Sequence, residues 1–104
     1  MSNMKEREKS FEAKFALDEE QRFRAIVRRN RLLGSWAAEL MGRADAEAYA
    51  QSVVEADFEE AGDDDVLRKV AGDLTSAGVA VSEEEIRAKM LEFMAQAAMQ
   101  VQQG

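Results

Sequence analysis

The sequence predicts an all-α protein, a bundle of four helices behind a separate N-terminal arm. Three observations point there. The 104 residues contain no proline, so no position is barred from a helix interior. Residues that favour helix dominate, chiefly Ala, Glu, Lys, Arg, Leu, Met and Gln. Apolar residues recur at a 3.6-residue period and nowhere in sustained strict alternation.

The first helix is expected over about residues 19–41. Asp18 can cap its free amides, and Gln21 stands three residues on, the spacing of a capping box. Phe23, Ile26, Val27, Leu33, Ala37, Leu40 and Met41 then fall at helical spacing, and Gly42 supplies a C-cap. Such a helix is roughly 34 Å long at 1.5 Å per residue. Gly34 lies inside it at a cost of about 1 kcal/mol relative to Ala. It marks a close helix crossing or, on a sharper reading, a hinge. Trp36, the single tryptophan, is expected to anchor the core from this helix.

The second helix is expected from about Asp45, over 46–61, with Tyr49, Val53, Val54, Ala56 and Phe58 apolar and Gly62 as its stop. The third begins in the cluster Asp63, Asp64, Asp65 and covers about 64–77. Val66, Leu67, Val70, Ala71 and Leu74 form its face, and Gly78 ends it. The fourth, about 83–102, has the clearest start: Ser82 as N-cap, Glu85 completing the box, and Val81 placed to staple onto Ile86. Ile86, Met90, Phe93, Met94, Ala97 and Val101 continue its buried side. Connections of a few residues favour antiparallel neighbours.

Residues 1–17 read differently. Met4, Phe11 and Phe15 are the large apolar residues before Leu17, and Phe11 and Phe15 share a face at i, i+4. Around them lie Lys5, Glu6, Arg7, Glu8, Lys9, Glu12 and Lys14. A lone helix this short is marginal in water, because nucleation is costly. The arm is expected to be frayed or disordered when free and to fold as an amphipathic helix in a partner's groove.

Composition narrows the function. Without cysteine there are no disulfides, thiolate metal sites or thiol nucleophiles. Without histidine the usual zinc ligands and the commonest general base at neutral pH are missing too. No glycine-rich phosphate loop is present. Asp63–Asp65 and Glu83–Glu85 sit at helix starts, where capping and the helix dipole account for them, and neither has calcium-loop spacing. An enzyme with no cofactor signature is the least supported class. No apolar run approaches a membrane span or a signal-peptide core, so the chain is expected to stay in the cytoplasm, or in the compartment where it is made.

Charge is unevenly spread. Residues 1–43 carry 10 Lys and Arg against 7 Asp and Glu, whereas residues 44–104 carry 4 against 14. The acidic half argues against nucleic acid as a partner. Arg22, Arg24, Arg28, Arg29 and Arg31 are therefore read as a solvated or protein-facing surface, suited to carboxylates. On these grounds the chain reads as a soluble helical domain with an amphipathic arm able to fold on a partner, and a helical adaptor that docks the arm into an unrelated protein is one such reading.

Three stretches carry a resemblance: Arg7 to Gly42 (REKSFEAKFALDEEQRFRAIVRRNRLLGSWAAELMG), Tyr49 to Leu74 (YAQSVVEADFEEAGDDDVLRKVAGDL) and Ala77 to Met90 (AGVAVSEEEIRAKM). In one register over nearly the whole chain, they closely resemble the zeta-subunit ATPase inhibitors of alphaproteobacterial F-type ATP synthases. The resemblance implies a small four-helix protein whose mobile N-terminal region is the inhibitory element. That region would insert between α and β subunits of the catalytic head, beside the γ subunit of the central stalk, and stop rotation in the hydrolysing direction. Carried over residue by residue, the inhibitory segment falls on Arg7, Glu8, Lys9, Phe11, Glu12, Lys14 and Phe15, with Met4 added as a further apolar contact. Phe11 and Phe15 would anchor the apolar face while the charges set register. No cofactor is implied, and association with the inner membrane would be peripheral, through the synthase.

Overall fold

The computed structural model describes residues 16–57 and 64–103. Within them the fold is all-α: α1 (Glu19–Met41), α2 (Ala46–Ala56), α3 (Asp64–Ser76) and α4 (Glu83–Gln103). None of these helices is long and apolar enough to cross a membrane.

The helix ends follow local chemistry. Asp18 Oδ1 accepts from the Gln21 amide at 2.7 Å, and the Gln21 side chain accepts from the Asp18 amide at 3.2 Å, closing the capping box of α1. At α4 the Glu85 amide donates to Ser82 Oγ at 3.1 Å, and Val81 packs on the core cluster that holds Ile86. Gly42 and Gly78 take left-handed φ of 68° and 78°. In each case two backbone bonds close the turn. Arg43 N–H reaches Ala38 O and Gly42 N–H reaches Glu39 O; Val79 N–H reaches Leu74 O and Gly78 N–H reaches Thr75 O. This double closure satisfies orphan carbonyls and favours a residue without Cβ.

One of the expected stops differs. α2 begins at Ala46, and the carboxylate of Asp45 before it is held by the Arg43 guanidinium through bonds of 2.8 and 2.7 Å. That bond keeps the Asp45 carboxyl below its ordinary pKa. α2 closes at Ala56, short of the expected Ala61, and Asp57 N–H returns to Val54 O at 3.3 Å. Phe58 and Gly62, assigned to that helix from the sequence, lie outside the described residues.

α1 is the central element, packed most extensively on α2 and α4. Its buried residues are Ala25, Arg29, Asn30, Leu33, Gly34, Ala37 and Ala38, a mostly small-residue seam. This corrects the expected apolar face, since Phe23 is 53% exposed and Leu40 is 43% exposed. Alanines and a glycine let α1 lie close to its two neighbours, while Leu33 and Arg29 are the large side chains it buries there. Gly34 shows how tight the fit is. A Cβ built there would lie 2.6 Å from Ala50 Cα and 3.3 Å from Val53 Cγ2. Gly34 is thus a close crossing of α1 and α2.

The core has two parts. The larger joins Leu33, Ala37 and Ala38 with Tyr49 and Val53 of α2, Val66, Leu67, Val70 and Leu74 of α3, and Ile86 and Met90 of α4. Trp36 and Phe93 pack partly buried against it. The smaller gathers Ala25, Met94, Ala97 and Val101, with Leu17 and Ile26 at its edge. Each fully buried large apolar side chain contributes about 1.5–3 kcal/mol.

Candidate functional site

The residues assigned to partner binding from the sequence, Met4, Arg7, Glu8, Lys9, Phe11, Glu12, Lys14 and Phe15, all lie outside the described residues. What is described is the root from which that segment extends. Leu17 is packed against the smaller core cluster, so the fold holds the chain one residue before the Asp18 cap. Ala16 just before it has a left-handed φ of 51°. For a residue with a Cβ that conformation costs roughly 1 kcal/mol, and it breaks helical continuity between α1 and the chain preceding it.

Beyond the root, α1 carries the arginine stretch, and its members separate sharply. Arg29 is not solvated, contrary to the expectation for the whole stretch: it is 1% exposed. Its Nε donates to Asn30 Oδ1 at 3.0 Å, and Asn30 Nδ2 donates to Asp57 Oδ2 at 3.0 Å. Arg29 Nη2 lies 3.8 Å from the same carboxylate oxygen. Burial pushes the guanidinium down to about 10, against the opposing pull of Asp57. It is still charged at neutral pH, which is why a carboxylate and an amide are drawn to it. This network ties the middle of α1 to the end of α2. Sequence reasoning missed it because nothing in a run of five arginines distinguishes the one turned inward.

Arg24, Arg28 and Arg31 face outward. Arg28 Nη1 donates to Gln100 Oε1 at 3.4 Å, and Arg31 Nη2 donates to Gln51 Oε1 at 3.1 Å. Their partners are thus neutral amides of α4 and α2. Four basic groups elsewhere pair with acids: Arg43 with Asp45, Arg68 with Asp65, Lys69 with Asp73 and Lys89 with Glu92.

A second polar cluster surrounds Tyr49. Its buried hydroxyl donates to Asp73 Oδ2 at 2.8 Å, Lys69 Nζ donates to the same oxygen at 3.1 Å, and the Arg43 and Lys69 cations lie 4.9 and 5.2 Å from the ring centroid. Every group has a partner, and the cluster fastens α2 to α3. In the acidic run at the start of α3, Asp65 pairs with Arg68 and Asp63 lies outside the described residues; among the described residues no group of three or more potential metal ligands occurs.

The described residues thus form a small helical body with a segment rooted at the start of α1, its buried side-chain polar atoms partnered save Asp65 Oδ2. The profile of one family, ATPase inhibitor subunit zeta, matches residues 1–100, and the chain belongs to that family. No curated protein matches the chain. The family assignment makes its role that of an ATPase inhibitor with the ATP synthase as partner, and it decides for the inhibitor over the adaptor.

Proposed function

We propose that the segment before Leu17 is the inhibitory element, which enters an α/β interface of the catalytic head beside the γ subunit and stops rotation in the hydrolysing direction. The observation that carries this reading is the family match across residues 1–100, which spans the arm as well as the bundle. The fold supports it: Leu17 packs at the edge of the smaller core cluster and so roots the preceding segment on the bundle. Met4, Phe11 and Phe15 supply the apolar contacts, and Arg7, Glu8, Lys9, Glu12 and Lys14 fix register and orientation. Ordering such a segment on binding costs roughly 2–5 kcal/mol. Burying two phenylalanines returns about 1.5–3 kcal/mol each, so the pair decides whether binding is favourable. The protein then works on the cytoplasmic face of the inner membrane, held there peripherally through the synthase.

The test is Phe11→Ala with Phe15→Ala in the full chain. Inhibition of ATP hydrolysis by the cognate synthase should weaken by roughly a hundredfold or more, with the helical circular dichroism of the bundle unchanged. Wild-type potency in the double variant would move the contact to another part of the molecule.

A further inference from the structure

Arg24, Arg28 and Arg31 lie exposed on α1, and the bonds that Arg28 and Arg31 make to neighbouring helices are to neutral amides. Arg24, Arg28 and Arg31 are spaced i, i+4 and i+7, which places them along one stripe about 10 Å long. Like charges at i, i+4 and i, i+3 disfavour the helix itself, so helix stability does not explain them. Among the described residues no carboxylate pairs with any of the three, in a chain with 21 acidic residues and a net charge of −7. Gln51 and Gln100, one from each flanking helix, orient two of the guanidiniums without cancelling their charge. The stripe also begins roughly 9 Å along α1 from the Asp18 cap, close to the point where the arm leaves the bundle.

We infer that Arg24, Arg28 and Arg31 form a second docking element, which meets a carboxylate-rich protein surface on the same ATPase that receives the arm. Guanidinium forks suit carboxylates, and three in a row select an acidic surface over a neutral one. The inference rests on the proposed function of the arm. Because arm and stripe share one root, engagement of either raises the local concentration of the other, and the two act as a bivalent grip. Solvent-facing charges of this kind act mainly on the association rate and its salt dependence. The stripe therefore steers the protein onto the head before the arm is seated.

The experiment measures the rate of onset of inhibition of the intact synthase, at low and at physiological salt, for the wild-type chain and for Arg24→Gln/Arg28→Gln/Arg31→Gln. Circular dichroism and thermal melting confirm that both are folded. The wild type should inhibit more slowly as salt rises. The triple variant should be slower by about tenfold at low salt, with a flattened salt dependence. A folded variant with the wild-type rate and salt slope would overturn the stripe and leave the arm intact. A wild-type chain that fails to inhibit at all would overturn the reading of the arm, and the stripe's role with it. Sedimentation of the free protein separates one further occupant: salt-sensitive self-association lost in the triple variant would assign the stripe to the acidic half of a second copy and overturn the inference.

Discussion

Tyr49 is the sole tyrosine, and its hydroxyl is shut between α2 and α3 with Asp73 as acceptor. Burial, then the Asp73 hydrogen bond and charge, push its pKa well above the ordinary value of 10.0. The sign follows directly. Above pH 10 an unfolded chain releases the phenolic proton while the folded chain retains it, so stability falls as pH rises. Tyrosinate absorbance should accordingly appear only together with the loss of helical signal in an alkaline titration. The difference in urea midpoint between wild type and Tyr49→Phe should shrink from about pH 10 upward. A phenol that ionises with an ordinary midpoint in the still-folded protein would contradict the buried bond to Asp73. Arg29 illustrates the other side of residue-scale chemistry. A buried guanidinium is tolerated because Asn30 and Asp57 surround it, and such a pair is better understood as specifying how α1 meets α2 than as adding stability.

At the scale of the elements, the crossing at Gly34 is the most sensitive joint. Helix propensity alone predicts that Gly34→Ala stabilises by about 1 kcal/mol. The added Cβ would instead meet the Ala50 backbone at 2.6 Å, so the two helices must part. Overpacking of this kind costs about 1–3 kcal/mol, and the variant should be less stable than wild type by about 1–2 kcal/mol after the propensity gain. A thermal melt at or above the wild-type midpoint would remove the close crossing. The ends of α1 and α4 were legible in the sequence because their signals are local: Asp18 with Gln21, Ser82 with Glu85, and the two glycines that follow α1 and α3. The inward face of α1 was not. Periodicity marks large apolar residues, yet here Phe23 and Leu40 point to solvent while Ala25, Gly34 and Ala38 fill the seam. Which side of a central helix must be narrow depends on where its neighbours lie, and that information is non-local. The end of α2 was misplaced for a related reason: Asp57 is drawn to Arg29 and Asn30, 27 residues earlier in the case of Asn30.

For the whole molecule, composition was a sound guide to class. Helix formers and the lack of proline pointed to the four helices observed among the described residues. The family match places the chain among ATPase inhibitor subunits. Candidate contacts from Met4 to Phe15 were legible only through resemblance, since a short amphipathic segment fits many grooves. The arginine stripe was visible in sequence as a basic run, but its division into one buried and four exposed members needed the packing of α1 against α2 and α4. On the function proposed above, labour divides between a bundle that holds the root and an arm that acts on the partner. The most direct test is a titration of ATP hydrolysis by the cognate synthase with the full chain beside a form lacking residues 1–17. Saturable inhibition by the full chain, with none from a truncated form that keeps its helical signal, is the predicted result; inhibition by the folded truncated form would contradict the assignment of function to the arm.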